Sequence, residues 1–157
     1  MDMREAEALV ARHAQAVYRL AYARTGSRED AEDVTQETFL RLVRTAPEFA
    51  DEDHCRAWLL RVAMNCAGDL FRSAWRRLTR PLEEAEQVPA PEEGGVLEAV
   101  LALPERYRAP IHLFYYEGLS TAEIAAVLGK SEGAVRTRLS RARTMLRGVL
   151  EECENHD

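Results

Sequence analysis

The stretch 130–147 (KSEGAVRTRLSRARTMLR) carries cationic and hydroxyl side chains in a pattern that suits a nucleic acid ligand. On a helix, at about 100° per residue, one side of it presents Gly133, Arg136, Thr137, Ser140, Arg141, Thr144 and Arg147. Six basic residues stand against one carboxylate, Glu132, which leaves a net charge of +5. Arginine and hydroxyl groups donate to phosphate oxygens and to acceptors on base edges. A merely solvated surface is the weaker interpretation, because solvated helices usually interleave Glu with Arg at i,i+4.

A helix-turn-helix is predicted to hold this basic surface. Ser120 and Glu123 form an S-x-x-E capping box, which predicts the start of a helix over 121–128. Gly129 suits the left-handed residue that follows such a helix. Ser131 can then cap a second helix over 132–148. Two helices separated by a short turn containing glycine are typical of the helix-turn-helix.

A second polar line lies in the predicted helix 56–77. Its members recur at helical spacing and share one face: Arg61, Asn65, Asp69, Arg72 and Arg76. The rest of this helix is largely apolar. Cations that follow a backbone, beside rings that stack on bases, suit single-stranded DNA. For the aromatic residues Trp58 and Phe71 a plain core position is the preferred interpretation, whereas the polar line is assigned to function.

Apolar residues recur at helical spacing almost throughout, which predicts an all-α fold. We expect helices at 3–24, from Ser27 to the loop 45–55, and at 56–77, 96–102, 105–116, 121–128 and 132–148. The second helix has the apolar stripe Ala31, Val34, Phe39, Leu42 and Val43. Residues 78–95 are rich in Pro, Glu and Gly and predict a flexible acidic linker. Two small helical domains, 1–77 and 96–150, and a tail over 151–157 are therefore expected.

Composition excludes several other classes of protein. No stretch approaches the ~18 uninterrupted apolar residues of a membrane span, and the acidic N-terminus lacks an apolar signal core, so a cytoplasmic location without membrane insertion is expected. The three cysteines, Cys55, Cys66 and Cys153, show no C-x-x-C spacing. Neither a disulfide framework nor a metal site or other cofactor is predicted. Candidate catalytic pairs such as Cys153 with His156 or His54 with Cys55 lack a nucleophile–base–orienter arrangement, so no enzyme activity is expected.

The chain resembles the extracytoplasmic-function (ECF) group of the bacterial sigma-70 family. Residues 30–44 (DAEDVTQETFLRLVR) look like region 2.2 of that family, which grips the β′ clamp helices of RNA polymerase. Residues 56–77 (RAWLLRVAMNCAGDLFRSAWRR) look like regions 2.3–2.4, which open and read the −10 promoter element. Residues 103–147 look like region 4, which reads the −35 element.

The resemblance implies two small sigma-like domains and a role for each polar surface. The contact with core RNA polymerase would use Asp30, Asp33, Gln36, Glu37, Phe39 and Leu40. The −10 strand would meet Arg61, Asn65, Asp69, Arg72 and Arg76, and the loop 45–55 would hold a flipped base. The −35 groove would receive Lys130, Ser131, Gly133, Arg136, Thr137, Ser140 and Arg141. Implied partners are core RNA polymerase, through its β′ clamp helices and β flap, promoter DNA and an anti-sigma factor.

A stand-alone helix-turn-helix regulator is the alternative, although it leaves residues 1–77 without a task. The net charge of −6 at first argues against DNA. Negative charge collects, however, at 29–37, at 48–53, in the linker and in the tail. We therefore expect a protein that reads DNA poorly alone and well only when polymerase positions it.

Overall fold

The computed structural model describes residues 1–76 and 99–155, with side chains for 1–70 and 99–148. Within these ranges every regular element is a helix, which confirms the all-α prediction. The described residues belong to two compact units, one within 1–86 and the other within 87–157. The predicted linker 78–95 lies outside the described residues. No helix in the described part of the chain is long and apolar enough to cross a membrane.

The first unit consists of three helices that all pack against one another. They are α1 (Met3–Thr25), α2 (Arg28–Thr45) and α3 (Glu52–Arg76). The turn between α1 and α2 follows the predicted residues: Gly26 is left-handed with φ 68°, and the Ser27 side chain accepts from the Asp30 amide. Fully buried side chains from all three helices form the core: Val17, Leu20, Leu42, Leu59 and Leu60.

Val43 departs from the predicted apolar stripe of α2. Its neighbour Leu42 is fully buried, whereas Val43 is 57% exposed. One residue rotates the side chain by about 100°, which carries Val43 out of the interface with α1 and α3.

α3 begins at Glu52, four residues before the predicted start at 56. Asp51 explains the difference, because its Oδ1 accepts from the His54 amide at 2.8 Å. Its carbonyl accepts from the Cys55 amide at 3.2 Å. The acidic run after it stands in the first turn of α3, where the helix dipole favours negative charge. The loop predicted over 45–55 is therefore shortened to 46–51.

Glu52 also ties the start of α3 to α1. Its Oε1 accepts a hydrogen bond from the Arg12 guanidinium and lies 3.1 Å from Nε2 of the buried His13. The hydrogen bond from Arg12, assisted by the one from His13, lowers the pKa of the Glu52 carboxyl against the opposing effect of burial.

Glu52→Gln is expected to reduce the pH dependence of folding stability. A carboxyl whose pKa is lower in the folded chain stabilises that chain above its ordinary pKa of about 4.3. This stabilisation is lost as the pH falls through the folded pKa. At pH 7 the variant should have a slightly lower urea midpoint of unfolding than the wild type. At pH 3 the two midpoints should be nearly equal. Tryptophan fluorescence reports this unit alone, because both tryptophans, Trp58 and Trp75, lie within it.

Glu7→Gln is the matched control, since Glu7 is an exposed carboxylate on α1. It should leave the urea midpoints close to wild type at both pH values. An identical dependence of the urea midpoint on pH in Glu52→Gln and wild type would contradict the role given to the contact of Glu52 with Arg12 and His13.

The second unit contains α4 (Glu105–Ile111), a π-helical turn (His112–Tyr116), α5 (Thr121–Leu128) and α6 (Glu132–Asn155). Residues 99–101 are also helical. α6 packs against α4 and α5. The buried side chains here include Leu113, Ile124, Val127, Val135 and Leu139. α6 runs past the predicted end at 148, because no proline or further glycine follows to stop it.

The predicted helix 105–116 changes its winding at His112. The Glu117 amide donates to the His112 carbonyl at 3.1 Å, which closes a π-helical turn. The two side chains also meet, with His112 Nε2 3.2 Å from Glu117 Oε1 and both side chains 5% exposed. The Tyr116 ring stacks on His112. This buried pair stabilises the widened turn that precedes α5.

Candidate polymerase-binding and nucleic-acid surfaces

The exposed side of α2 carries most of the residues predicted to contact polymerase. Asp33, Gln36 and Leu40 are exposed, Leu40 to 48%. Asp30 and Glu37 are half-buried beside them. Phe39 differs, because it is only 9% exposed and belongs to the core beneath. We call Asp30, Asp33, Gln36, Glu37 and Leu40 the α2 surface.

Acidic groups and apolar side chains share the α2 surface. Burial, and then the charge of Asp33, raises the pKa of the Asp30 carboxyl. Glu37 Oε1 accepts from Arg41 Nε at 3.2 Å and lies 3.9 Å from Arg44 Nη1. Val43, which the sequence assigned to the core, extends the exposed apolar area one turn beyond Leu40. An acidic surface with exposed apolar side chains at one end suits a basic and partly apolar protein partner.

The polar line of α3 is exposed as predicted from its spacing, at Arg61, Asn65 and Asp69. The side chains of Arg72 and Arg76 lie outside the described residues. Asp69 Oδ2 is 3.7 Å from Arg41 Nη2. Arg41 thus lies between Glu37 and Asp69 and joins the α2 surface to the α3 line. Sequence reasoning did not single out Arg41, since its partner on α3 follows only from helix packing.

Phe49 is a further residue that sequence reasoning missed. It lies in the loop 46–51, and its ring contacts those of His54 and Trp58 edge-on, with centroids 5.4 and 5.8 Å apart. All three rings are at least partly exposed. The loop therefore presents an aromatic cluster next to the start of α3, and flat rings of this kind can stack on unpaired bases.

The helix-turn-helix has the local contacts that its sequence predicts. The Ser120 hydroxyl accepts from the Glu123 amide at 3.1 Å, and the Glu123 carboxylate accepts from the Ser120 amide at 3.0 Å. Gly129 ends α5 with φ 66°, a conformation that costs glycine little. The Ser131 hydroxyl accepts from the Ala134 amide at 3.1 Å and begins α6. These contacts set the geometry in which α6 is presented.

Ser120→Ala is expected to lower the stability of the second unit by about 1 kcal/mol, because it removes the cap of α5. Hydrogen exchange of the α5 amides would measure the loss. Ser140→Ala, an exposed serine within α6, is the control and should change exchange little. Equal exchange rates in Ser120→Ala and wild type would contradict the contribution assigned to the capping box.

Residues 130–147 present their predicted surface to solvent. The exposed members are Lys130, Ser131, Gly133, Arg136, Thr137, Ser140, Arg141, Thr144 and Arg147. Hydrogen bonding to Arg106, with a smaller contribution from Arg141, lowers the pKa of the Tyr107 hydroxyl. Arg141 therefore lies near Tyr107 of α4, at one side of this surface.

Arg143 is a cation that the sequence prediction did not include. Its Nε donates to the Tyr115 hydroxyl at 2.6 Å, and its guanidinium lies 5.4 Å from the centre of the Phe114 ring. Tyr115 itself is 57% exposed. The contact with the π-helical turn orients Arg143 beside the basic surface of α6.

Comparison with known proteins identifies both units. The family model "Sigma-70 region 2" matches residues 9–77, and "Sigma-70, region 4" matches residues 94–146. ECF RNA polymerase sigma factor SigL of Mycobacterium tuberculosis is 37% identical, over 92% of this chain and 88% of its own length. The chain belongs to the ECF RNA polymerase sigma factors.

Two further relatives of this ECF sigma factor are informative. SigE of Mycolicibacterium smegmatis is 41% identical over 90% of the chain, and the chain spans 60% of SigE. The solved structure of CnrH in complex with the cytosolic domain of CnrY has a TM-score of 0.70 and 33% identity. It covers 96% of this chain, which in turn covers 90% of that one.

The candidate surfaces of the ECF sigma factor fall within the matched regions. The α2 surface and the described part of the α3 line lie in the region 2 match, and α5 with the basic stretch of α6 lies in the region 4 match up to residue 146.

Burial raises the pKa of both the Cys55 and the Cys66 thiol, which keeps them protonated at neutral pH. In the described ranges no group of His, Cys, Asp and Glu could hold a metal ion.

Proposed function

We propose that the chain is a promoter-specificity subunit that directs core RNA polymerase to particular promoters and initiates transcription there. The observation that carries the proposal is the arrangement of the first unit. One small bundle presents an acidic and apolar surface on α2 directly beside a polar line on α3, joined through Arg41. Such a unit can hold a protein partner and a DNA strand at the same time. The role is one of binding and placement rather than catalysis.

The α2 surface is proposed to dock on the β′ clamp helices of polymerase. Leu40 supplies apolar area that the neighbouring Val43 continues, and Asp33 and Glu37 supply charge. Desolvated apolar contacts carry most of the affinity of a protein interface, while rim charges govern the rate of encounter. In the second unit, Tyr115 and Tyr116, 57% and 54% exposed, offer an apolar contact for the β flap.

Promoter DNA is proposed to meet both units. Arg61 and Asn65 on α3 would contact the −10 strand, and Phe49 with Trp58 would stack on a base that leaves the duplex. α6 would enter the major groove of the −35 element with Arg136, Thr137 and Ser140, which is the docking geometry of a recognition helix.

An anti-sigma factor is proposed to control access to polymerase. CnrH, at 33% identity, has been solved with the cytosolic domain of CnrY bound. A protein inhibitor that covers the α2 surface would keep the chain from polymerase. The chain would act in the cytoplasm, where the polymerase and its promoters are.

Selection from a random duplex pool tests the proposal against a stand-alone regulator. The chain with core polymerase should enrich a motif of two separated elements, whereas core polymerase alone should enrich none. The chain alone should enrich little, because negative charge outside α6 weakens its binding to free DNA. Strong enrichment by the chain alone, unchanged by polymerase, would favour the stand-alone regulator instead.

A further inference from the structure

Glu132 occupies the point at which the two helices of the helix-turn-helix meet. It is the first residue of α6, yet it does not cap that helix, because Ser131 does. Its carboxylate is therefore available to accept hydrogen bonds from neighbouring side chains. It is also the one acidic residue between 130 and 147, so its presence on a basic surface calls for a physical reason.

Two hydrogen bonds converge on a single oxygen atom of this carboxylate. Thr121 Oγ1, at the start of α5, donates to Glu132 Oε1 at 2.7 Å. Arg136 Nη2, one turn further along α6, donates to the same atom at 2.9 Å, so this surface does contain one Glu–Arg pair at i,i+4, contrary to the expectation from the sequence. Glu132 is half-buried, while the Arg136 side chain is 66% exposed. The carboxylate is thus anchored on α5 and holds an exposed guanidinium on its other side.

A guanidinium held in this way is prepared for reading a base. It has five N–H donors in one plane, and Glu132 engages Nη2 only. The remaining donors can bond to O6 and N7 of a guanine, the commonest specific arginine contact in the major groove. A side chain already fixed loses less conformational freedom when it binds. Released from the carboxylate, the same arginine would also reach phosphates, and those contacts carry no sequence information.

The charge of Glu132 acts in the opposite direction on affinity. A carboxylate within a basic stretch repels phosphate and lowers sequence-independent binding. If α6 served affinity alone, an uncharged residue at this position would bind DNA better. The two effects together indicate that Glu132 contributes to discrimination and weakens general attraction.

We propose that Glu132 is a positioning residue for base reading, which holds Arg136 so that it recognises a guanine at one position of the −35 element. Thr121 fixes the carboxylate in turn. The inference rests on the proposed function, in which α6 reads the −35 element, and it assigns one base preference to one side chain and its support.

The test uses the full chain with core polymerase and the random duplex pool. The wild-type chain should enrich guanine at one position of the motif, and Arg136→Ala should abolish the base preference at that position. Glu132→Gln should lower that preference by about tenfold and leave preferences elsewhere in the motif little changed. Its binding to unselected duplex at low salt should rise by about twofold. When Arg136 is already alanine, Glu132→Gln should have no further effect at that position.

Thr121→Ser keeps the hydroxyl and should keep the preference, whereas Thr121→Val should reduce it. Circular dichroism of each variant shows whether the helices are intact. An unchanged preference in Glu132→Gln would overturn the inference. An equal loss at every position would also overturn it, as would a change in base preference at that position when Glu132→Gln is added to Arg136→Ala. A wild-type pool without any motif would instead overturn the proposed function, and the inference with it.

Discussion

Replacing Asp33 by lysine and Leu40 by aspartate in one chain is expected to weaken binding to core RNA polymerase by about 100-fold, or roughly 3 kcal/mol. Both side chains are exposed on the α2 surface. The lysine would repel a basic partner, and the aspartate would bring a charge into an apolar contact, where losing water is costly. Neither change removes a buried group, so the bundle should remain folded.

Titration of a fluorescently labelled chain with core polymerase would measure this loss. A matched control carries the same kinds of change on α1, Glu7→Lys with Met3→Asp, since Glu7 is exposed and Met3 is 78% exposed. The control should bind as the wild type does. Near wild-type affinity in the Asp33→Lys, Leu40→Asp chain would show that polymerase does not use the α2 surface.

Leu42→Ala is expected to lower the free energy of unfolding of the first unit by about 2–5 kcal/mol. Leu42 is fully buried among the three helices, so its truncation removes apolar burial and leaves a cavity. Leu40→Ala, two residues away on the same helix and 48% exposed, should cost less than about 0.5 kcal/mol.

Urea unfolding followed by tryptophan fluorescence would compare the two variants within one unit. If Leu42→Ala lowered the free energy of unfolding no more than Leu40→Ala does, the packing described for the bundle would be contradicted. The same pair separates stability from function. Leu40→Ala should weaken polymerase binding without unfolding the bundle, whereas Leu42→Ala should act first through stability.

The helices of this protein could be predicted wherever the signal is local. Gly26 and Ser27, or Ser120 and Glu123, stop or start a helix through contacts within a few residues, so their types suffice. Val43 and His112 behave differently. Whether Val43 is buried depends on where the neighbouring helices lie, and the π-helical turn at His112 depends on a buried partner five residues on.

The same distinction applies to the candidate site. Arg61, Asn65 and Asp69 could be placed on one face from their spacing alone. The functions assigned to Arg41 and Glu132 depend on contacts between helices, because Arg41 meets Asp69 and Glu132 meets Thr121. Helical periodicity within one element cannot predict such contacts. Phe49 was overlooked because an aromatic residue in a short loop acquires meaning only when Trp58 is found beside it.

Run-off transcription by core polymerase with the full chain tests whether the chain is a promoter-specificity subunit. On the duplex enriched from the random pool, a transcript should begin at a fixed distance downstream of the two elements. That transcript should be absent with core polymerase alone and strongly reduced with the Asp33→Lys, Leu40→Asp chain. No transcript above the level of core polymerase alone, or equal transcription from an unselected duplex, would contradict the assignment of this chain as a promoter-specificity subunit.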